Sequence, residues 1–416
     1  MAEQKPQSNY ARYLKVKSRK QKGEGLIVDN AKSEINTANQ KSPVIFSFFS
    51  GSGFLDLGFE KEGYDVAFVN EISESFLGAY KHSRTKMNMP EPKYGYYNLD
   101  INDFLNGRKE DLRQLVEVTR KEDYLVGFIG GPPCPDFSVG GKNKGAEGDN
   151  GKLSLAYINL IIDIAPDFFL FENVKGLWST VRHKAFYDVL KNEIIKAGYS
   201  ISERLCNALE FGVPQDRERI LMIGVKNDIL REDVAVSGEI SSFPWTKFST
   251  HNATYVKGLP WSDTSVFGED IFMTLDETMT PFTVQYWFEK NDVDNHPNSK
   301  AHFTPRGGIE KMRTVSEGDT SRKSYKRLHR YRYSPTAAYG NNEVHLHPYR
   351  ERRISAAEAM AIQSLPKEFE LPHDMSLTDM FKTIGNGVPF LLSDGIAKTI
   401  RYFLEGNVCK ELQRQI

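Results

Sequence analysis

The chain has 416 residues, of which 39% are hydrophobic and 26% are charged, and its formal net charge is −1. This balance is typical of a soluble globular protein with one large domain or two. The three cysteines, Cys134, Cys206 and Cys409, are too few for a disulfide framework and lack metal-ligand spacing, which favours a reducing cytosolic compartment. No apolar run reaches the roughly 18 residues of a membrane span, and the polar start predicts no signal peptide.

The near-zero net charge conceals two segments of opposite sign. Residues 306–353 hold twelve Lys and Arg against five Asp and Glu, whereas residues 262–295 hold eight acidic residues and one Lys. The basic segment is interleaved with the aromatic residues Tyr325, Tyr331, Tyr333 and Tyr339. Such a mixture favours a face that binds nucleic acid, although a solvated surface is the alternative.

Residues 1–42 are predicted to form a basic amino-terminal tail. Seven Lys and Arg fall between Lys5 and Lys22, and apolar residues are sparse. A segment of this composition cannot bury enough apolar surface to form a core. Contact with a phosphate backbone and a merely solvating arm both remain open for this tail.

A strand, a glycine turn and a helix open the folded part of the chain. The apolar run Val44–Phe49 predicts a buried strand, and Ser50–Glu60 follows with glycines and then a helical pattern. This layout directs the amide groups of the helix at a ligand. The next strand, Asp65–Asn70, ends in Glu71, where dinucleotide-type folds hold a ribose hydroxyl. Together with Asp100, a third acidic strand end, these residues indicate an adenosine-containing ligand, whereas each carboxylate alone favours an ordinary surface or capping group.

A single thiol follows the next predicted strand. The apolar run Tyr124–Ile129 leads into the segment Gly130–Ser138, in which glycines and prolines surround Cys134. This edge of an open α/β sheet is where ligands bind, and the prolines restrict the turn that holds the thiol. The glycine-rich basic segment 138–145 predicts a loop that closes over an anionic substrate. Cys134 is therefore a candidate nucleophile, and the alternative is a small buried hydrophobic residue.

A candidate acid lies on the following strand. The predicted helix Leu153–Ile164 precedes the aromatic-rich strand Asp167–Val174, which carries Glu172 near its end. Apolar neighbours would raise the pKa of this carboxyl group, so Glu172 could act as an acid.

Two arginines come after the predicted helix Lys184–Ala197. Arg217 and Arg219 lie two residues apart, just before the predicted strand Ile220–Val225. In an extended segment they share one face, which suits binding of an anion or a carbonyl oxygen. A salt-bridged surface strand is the alternative.

Regular α/β alternation stops near Lys226. Short segments rich in Pro, Gly, Thr and Asp fill residues 226–350, as is typical of a recognition surface. A helical segment, Ser355–Ser364, follows, and then Phe381–Pro389 and a final amphipathic helix to about Leu404.

In this order the segments resemble the motifs of the DNA (cytosine-5) methyltransferases, mostly those of bacterial restriction–modification systems. The resemblance covers about 43–225 and 350–400, and it rests on six motifs in the order of the family. These are the cofactor loop Phe49–Gly53, the nucleophile motif Pro133–Cys134, the motif Glu172–Val174, the series Gln215, Arg217 and Arg219, the supporting motif Arg353–Glu358 and the late motif Gly385–Pro389. Phe54 departs from the pattern, because the family often has a third glycine there.

The resemblance implies a Rossmann-like α/β fold of S-adenosylmethionine-dependent methyltransferases with a smaller, irregular target-recognition domain. The catalytic and cofactor-binding domain is expected at 43–225 plus 376–405, and the target-recognition domain at 226–375. The implied cofactor is S-adenosyl-L-methionine, with S-adenosyl-L-homocysteine as its product. The implied cofactor-binding residues are Phe49, Ser50, Gly51, Ser52, Gly53, Phe54, Glu71, Ile72, Asp100, Ile101, Leu153, Asn386 and Val388.

The implied reaction is sequence-specific methylation at C5 of a flipped-out cytosine in duplex DNA through a covalent adduct. Cys134 is the implied nucleophile, Glu172 bonds N3 of the base, and Arg219, with Arg217 behind it, stabilises the O2 side. Asn173 helps to position Pro133 or the base edge, and no metal is expected. The implied DNA-binding residues are Ser138, Gly140, Lys142, Lys144, Gln215, Arg306, Arg322, Lys323, Lys326, Arg327 and Arg330.

Double-stranded DNA is thus the expected partner of a monomeric enzyme in the bacterial cytoplasm, at the nucleoid, together with a cognate restriction endonuclease. One alternative is a tRNA cytosine methyltransferase on the same fold, but neither Cys206 nor Cys409 stands in the Cys-Phe-Thr motif of those relatives. The other alternative is a non-catalytic module that binds DNA or a nucleotide, which would not need the set of Cys134, Glu172 and Arg219.

Overall fold

The computed structural model describes residues 41–122, 124–133, 149–271, 273–304, 307, 309–322, 324–337, 339 and 344–408. Cys134 and the predicted closing loop lie outside these residues, as does the tail up to residue 40. Within the described ranges one sheet contains the strands β1 Val44–Phe48, β2 Asp65–Asn70, β3 Tyr96–Tyr97, β4 Val126–Gly130, β5 Phe168–Val174, β6 Tyr199–Asn207, β7 Glu218–Lys226, β8 Ala235–Val236 and β9 Glu239–Ile240.

The α-helices of these ranges flank the sheet or lie in the later part of the chain. They are α1 Phe54–Lys61, α2 Glu74–Lys86, α3 Ile101–Leu105, α4 Lys109–Lys121, α5 Asp149–Ile164, α6 Lys175–Ser179, α7 Val181–Lys196, α8 Ala253–Lys257, α9 Val284–Lys290, α10 Ile309–Arg313, α11 Ala356–Ile362, α12 Leu377–Asn386 and α13 Phe390–Asn407. Three short 3₁₀ helices cover Ala208–Phe211, Thr280–Phe282 and Pro297–Lys300. None of the described helices is both long and apolar enough to cross a membrane.

The strand order is β3-β2-β1-β4-β5-β7-β6-β9-β8. Strands β3, β2, β1, β4 and β5 are parallel, whereas β7 runs antiparallel to both β5 and β6. The chain leaves β1 on one side for β2 and later returns on the other side as β4. Ligands bind at the carboxyl ends of strands beside such a switch point. The segments after β1, β2, β4 and β5 therefore meet at one edge.

Apolar side chains bury both faces of the sheet. Helices α1 and α13 cover one face through Phe59, Ile396 and Phe403, all at most 1% exposed. Helices α5 and α7 cover the other face, where Tyr157 and Leu190 are fully buried. Each such side chain stabilises the fold by about 1.5–3 kcal/mol relative to its exposed state. The sheet is thus the middle layer of three, and a ligand is expected at its edge, beside the carboxyl ends of β1, β2, β4 and β5 (the cleft).

Glycines within two strands make room for phenylalanine rings. A Cβ atom at Gly127 of β4 would lie 2.2 Å from the ring of Phe168, and one at Gly224 of β7 would lie 2.0 Å from the ring of Phe169. Glycine in a strand interior often marks such a close approach. These two positions let β5 pack its aromatic side chains against both of its neighbours.

After β7 the chain is irregular, as the composition predicts. Short helices and isolated bridges organise this region, and one bridge joins Gln215 to Ser334. An apolar cluster unites α9, α11 and α12 with Phe54 and Leu57 of α1. The described residues from 41 to 408 pack as one compact unit, and the division into a catalytic and a target-recognition domain stays a prediction.

Candidate active site

The turn between β1 and α1 has the conformation that its glycines allow. Gly51 and Gly53 have φ angles of 57° and 79°, in the left-handed region that side chains disfavour. The amide of Gly53 donates to the carbonyl of Ser50 at 2.9 Å, and the amide of Ser50 donates to the carbonyl of Asn70 at 3.1 Å. The predicted cofactor loop is therefore a tight turn anchored on β2.

Glu71 lies at the carboxyl end of β2 and closes this turn. Its Oε2 accepts from the amide of Gly51 at 2.9 Å, and its Oε1 accepts from the amide of Ser73 at 2.8 Å. Burial raises the pKa of the Glu71 carboxyl, against the opposing effect of the Ser73 and Gly51 amides. Next to it, Ile72 is 62% exposed, so a bulky apolar side chain stands open beside the turn.

The residues after β3 and on α5 complete this side of the cleft. Asp100 is half-buried and caps α3 by accepting from the amide of Asn102 at 2.9 Å. Ile101 is only 3% exposed and belongs to the core, whereas Leu153 and Phe49 are half-buried beside that core. The structure thus brings Asp100, Leu153 and Phe49 to the edge and places Ile101 behind it.

The late motif returns to the turn from the end of the chain. Ser52 and Thr383 of α12 share a hydrogen bond of 2.7 Å between their hydroxyl groups, and both residues are buried. At the end of α12, Asn386 is exposed, and Val388 is buried in the core. Thr383 was not predicted as a site residue, although it lies only three residues before Asn386, which was predicted to bind the cofactor.

Phe54 does not face the cleft. Its ring is 2% exposed and meets Phe369 edge to face, with 5.0 Å between the ring centres. A Cβ atom at Gly387 would lie 2.1 Å from the same ring. The Phe54 ring is therefore a core side chain that occupies the space left open by Gly387, and a cofactor contact of Phe54 stays a prediction for its backbone.

The predicted acid and the predicted guanidinium form an ion pair. The Nε atom of Arg219 lies 2.9 Å from Oε1 of Glu172, and both side chains are about nine-tenths buried. The two residues stand on the neighbouring strands β5 and β7. Burial raises the pKa of the Glu172 carboxyl, and the charges of Arg219 and Arg217 oppose that rise.

The ion pair lies against the segment that leads to Cys134. A Cβ atom at Gly131 would lie 2.6 Å from Oε2 of Glu172, so only a glycine allows this approach. The side-chain amide of Asn173 donates to the carbonyl of Pro132 at 3.4 Å, and Pro133 is exposed. Glu172 and Asn173 thus pack on the proline turn, and Cys134 itself lies outside the described residues.

Arg217 acts behind this pair as a clamp. It is fully buried, and its guanidinium donates to the carbonyls of Ala337 at 3.0 Å, Gly385 at 2.8 Å and Gly387 at 3.0 Å. Burial, and then the neighbouring charge of Arg219, lowers the pKa of Arg217. Its contacts tie the start of β7 to the end of α12, where a cation is favoured by the exposed carbonyls of the helix.

Gln215 is a second buried connector. It is fully buried, its Nε2 donates to the side chain of Gln363 at 3.1 Å, and its Oε1 accepts from the amide of Ala337 at 2.9 Å. These contacts give Gln215 a structural role, and its DNA contact stays a prediction. Gln363 was not predicted as a site residue. The signal available in the sequence was an amide side chain near the end of an alanine-rich helical segment.

The predicted DNA-binding cations differ in their surroundings. Arg327 is fully buried, and its guanidinium donates to the carbonyls of Met312 at 2.6 Å and Val315 at 2.9 Å, which is a structural role, so its DNA contact stays a prediction. Arg330 is half-buried and pairs with the buried Glu317 at 2.7 Å. Lys326 is half-buried and Arg322 is exposed. The other predicted contacts lie outside the described residues, namely Ser138, Gly140, Lys142, Lys144, Arg306 and Lys323.

The described part of the chain contains no group of three or more His, Cys, Asp or Glu residues arranged to hold a metal ion. Cys206, the one described cysteine, is buried in β6, and burial raises the pKa of its thiol to about 12. An uncharged thiol of this kind is a packing residue rather than a nucleophile.

Comparison with known proteins identifies the family of this chain. The model of the C-5 cytosine-specific DNA methylase family matches residues 44–402. The chain is similar to the Type II methyltransferase M.NmeDI of Neisseria meningitidis serogroup C, with 54% identity over 88% of this chain and 86% of that protein. It is also similar to the Type II methyltransferase M.FnuDI of Fusobacterium nucleatum, with 29% identity over 89% of this chain and 98% of that protein.

Solved structures show the same fold. A prophage-encoded E. coli protein assigned as a DNA modification methyltransferase superposes with a TM-score of 0.56 and 22% identity, over 88% of this chain and 100% of that one. A methyltransferase of Entamoeba histolytica superposes with a TM-score of 0.51 and 14% identity, over 88% and 99% of the two chains. The predicted Rossmann-like methyltransferase fold is thereby confirmed. The chain belongs to the C-5 cytosine-specific DNA methylase family and is a DNA (cytosine-5) methyltransferase of the Type II restriction–modification class.

Proposed function

We propose that this enzyme transfers a methyl group from S-adenosyl-L-methionine to C5 of a flipped-out cytosine in a specific duplex DNA sequence, through a transient bond to Cys134. The observation that carries the proposal is the buried pair of Glu172 and Arg219 at 2.9 Å. This pair packs on Gly131, three residues before Cys134. An acid, a guanidinium and a thiol at one strand edge suit addition to a polar heteroaromatic ring.

The residues at the β1 turn fit the proposed cofactor. The buried hydroxyl of Ser50 has no hydrogen-bond partner among the described residues and would serve a polar group of the cofactor. Glu71 retains lone pairs that would accept ribose hydroxyl groups, and the exposed Ile72 would cover the flat face of the adenine. When bound, this cofactor supplies an electrophilic methyl group, and the protein supplies orientation and electrostatics.

The protein's groups would activate the cytosine in a defined order. The thiolate of Cys134 adds to C6, and the displaced electrons move towards N3 and O2, so C5 becomes nucleophilic. Glu172 in its protonated form would donate to N3, and the guanidinium of Arg219 would donate to O2. Once C5 carries the methyl group, loss of the C5 proton to a base and expulsion of the Cys134 thiolate restore the aromatic ring.

The reaction needs a base that has left the helix stack. Unstacking costs a few kcal/mol. We propose that the segment predicted as a loop at 138–152, whose last four residues are the first turn of α5, closes over the extruded cytosine. Residues 226–375 are the proposed target-recognition domain, in which exposed cations such as Arg322 would contact phosphates. We propose a monomer that acts at the bacterial nucleoid beside a cognate endonuclease.

The test compares the wild type with Cys134→Ala and Glu172→Gln. Tritium transfer from labelled cofactor to duplex DNA and to tRNA is measured, and bisulfite sequencing identifies the modified base. The wild type should label duplex DNA at one sequence, Cys134→Ala should bind cofactor without transfer, and Glu172→Gln should slow transfer by about 10²–10⁴-fold with unchanged DNA affinity. Methylation of C5 by Cys134→Ala, or labelling of tRNA alone, would contradict the proposal.

A further inference from the structure

A buried charged cluster lies directly beneath the turn between β1 and α1. Helix α1 contributes Asp56 and Glu60, and helix α2 contributes Tyr80 and Arg84. Arg84 is 2% exposed, and Asp56 and Tyr80 are fully buried. A charged group in such a place is costly unless it has partners, so the contacts of Arg84 show what it does there.

Arg84 divides its guanidinium between the turn and a carboxylate. Its Nη2 donates to the carbonyl of Gly53 at 2.7 Å and lies 2.6 Å from Oε2 of Glu60, while its Nε donates to Oε1 of Glu60 at 3.1 Å. The guanidinium also stacks over the ring of Tyr80, 4.2 Å from its centre. Glu60 therefore balances the charge of Arg84, and Tyr80 fixes the plane from which it donates.

The turn packs tightly on this cluster, with no space for a side chain at Gly53. A Cβ atom at Gly53 would lie 2.5 Å from the Tyr80 ring and 2.7 Å from Nη2 of Arg84. The carbonyl of Gly53 also accepts the first hydrogen bond of α1, from the amide of Leu57 at 3.0 Å. The Arg84 guanidinium and the Leu57 amide thus fix the orientation of the Gly53 carbonyl. Because the peptide group is planar, they also fix the orientation of the Phe54 amide. The amides at the start of a helix have no partner within the helix and are free to face a ligand.

We propose that Arg84 is a positioning residue for the cofactor: it holds the carbonyl of Gly53, and thereby orients the turn and the first amides of α1 towards the bound molecule. This inference rests on the proposed binding of S-adenosyl-L-methionine at the turn. It predicts that Arg84 affects the affinity for the cofactor and leaves the affinity for DNA unchanged, because the cluster lies beneath the turn and does not touch Glu172 or Arg219.

The test uses the full chain with the double variant Arg84→Met/Glu60→Gln, which removes both charges and leaves neither buried alone. The matched control is Arg120→Met/Asp167→Asn. Arg120 also pairs with an acid, Asp167 at 2.8 Å, and donates to a backbone carbonyl, that of Ala165 at 2.6 Å, but it lies at the opposite edge of the sheet. Calorimetry measures the Kd of S-adenosyl-L-homocysteine, kinetics measure KM for the cofactor and for DNA, and thermal unfolding measures Tm.

The Arg84→Met/Glu60→Gln variant should raise the Kd and the cofactor KM at least tenfold with an unchanged DNA KM, and the control should lower Tm alone. Arg84→Lys should bind the cofactor more tightly than the double variant does, because a lysine ammonium can still donate to the Gly53 carbonyl or to the Glu60 carboxylate. Equal cofactor affinity in the double variant and the wild type, or equal increases in both KM values, would overturn the inference. If the wild type itself bound no S-adenosyl-L-homocysteine, the proposed cofactor would fail, and the inference with it.

Discussion

At the scale of single residues, the proposed active-site pair of Glu172 and Arg219 combines two opposing effects on the Glu172 carboxyl group. Burial raises the pKa of Glu172, and the charges of Arg219 and Arg217 lower it. A carboxyl group balanced in this way can hold a proton for a base nitrogen and give it up again. The arginine that neutralises Glu172 between turnovers is the same one that we expect at O2 of the cytosine.

The testable prediction at this scale concerns Asp56, a buried acid whose neighbour Arg84 already pairs with Glu60. Burial, and then the charge of Glu60, raises the pKa of Asp56 from 3.8 to about 7. A folded-state pKa above the unfolded value adds stability that is complete below pH 3.8 and is lost as the pH rises through about 7. Asp56→Asn does not titrate, so its free energy of unfolding should exceed that of the wild type by about 2–4 kcal/mol at pH 8 and by much less at pH 4.5.

Denaturant titrations at the two pH values measure this difference. Asp233→Asn is the control, because a hydrogen bond from Arg231 lowers the pKa of that exposed carboxyl, so the variant should gain nothing at pH 8. A wild-type stability that did not fall between pH 4.5 and pH 8 relative to Asp56→Asn would show that Asp56 is ionised throughout.

Residue type alone does not show where a polar side chain serves the backbone. Gln215 was assigned to DNA by the motif resemblance and Arg327 as a cation of the basic segment, yet both are fully buried. The carbonyls that Arg327 contacts belong to residues 312–315 and 347–350. The backbone amide that Gln215 contacts belongs to Ala337. Contacts of this kind join distant parts of the chain and leave no local pattern. By contrast, Glu172, Arg219 and Glu71 stand at strand ends, and strand ends can be read from the sequence.

At the scale of elements, the strands and helices with the strongest patterns were predicted correctly. The apolar runs at β1, β2, β4 and β5 appear within one or two residues of their predicted bounds. β6 was missed as a strand, because Tyr199–Asn207 contains Ser, Glu and Arg at half-buried positions and pairs with β7 over its whole length. Its antiparallel place between β7 and β9 depends on contacts rather than on its own composition.

The junction between α1 and α12 depends on one glycine. A Cβ atom at Gly387 would meet the ring of Phe54 at 2.1 Å, so Gly387→Ala should destabilise the protein by about 1–3 kcal/mol through overpacking. Phe54→Leu in the same chain should restore at least half of that loss, because the smaller side chain frees the space. Chemical denaturation of the single and double variants measures both effects.

Gly78→Ala is the matched control for this prediction. Gly78 lies within α2, and a Cβ atom there would meet nothing within 4 Å, so alanine should stabilise the protein by about 0.5–1 kcal/mol. Loss of stability in Gly387→Ala that Phe54→Leu failed to relieve would show that the ring is not the cause.

At the scale of the whole molecule, the basic segment 306–353 has two kinds of cation. Arg327 donates to backbone carbonyls and is buried, and burial lowers its pKa to about 10. Arg322 is exposed, 3.6 Å from Asp319. Buried donors to carbonyls stabilise the fold of a segment with little regular structure, whereas exposed cations are available to phosphates.

One experiment should distinguish the buried cation from the exposed one. Arg327→Met should lower the free energy of unfolding by about 2–4 kcal/mol, because several carbonyls lose their donor, and leave the salt dependence of DNA binding unchanged. Arg322→Gln should leave stability unchanged and reduce the slope of log Kd against log salt by about one. The measurements are denaturation and DNA binding at several salt concentrations, below the unfolding temperature of each variant. A reduced slope in Arg327→Met without a loss of stability would place that guanidinium on DNA.

The clamp of Arg217 has a consequence for a chain that ends early. The carbonyls that it holds at Gly385 and Gly387, and the hydroxyl of Thr383 beside Ser52, belong to the last tenth of the chain. A polypeptide that ends before α12 contains β1 to β7, and therefore most of the sheet, but it lacks the groups that hold Ser52 and Arg217 in place. We therefore expect such a truncated polypeptide to leave the DNA of its host unmodified.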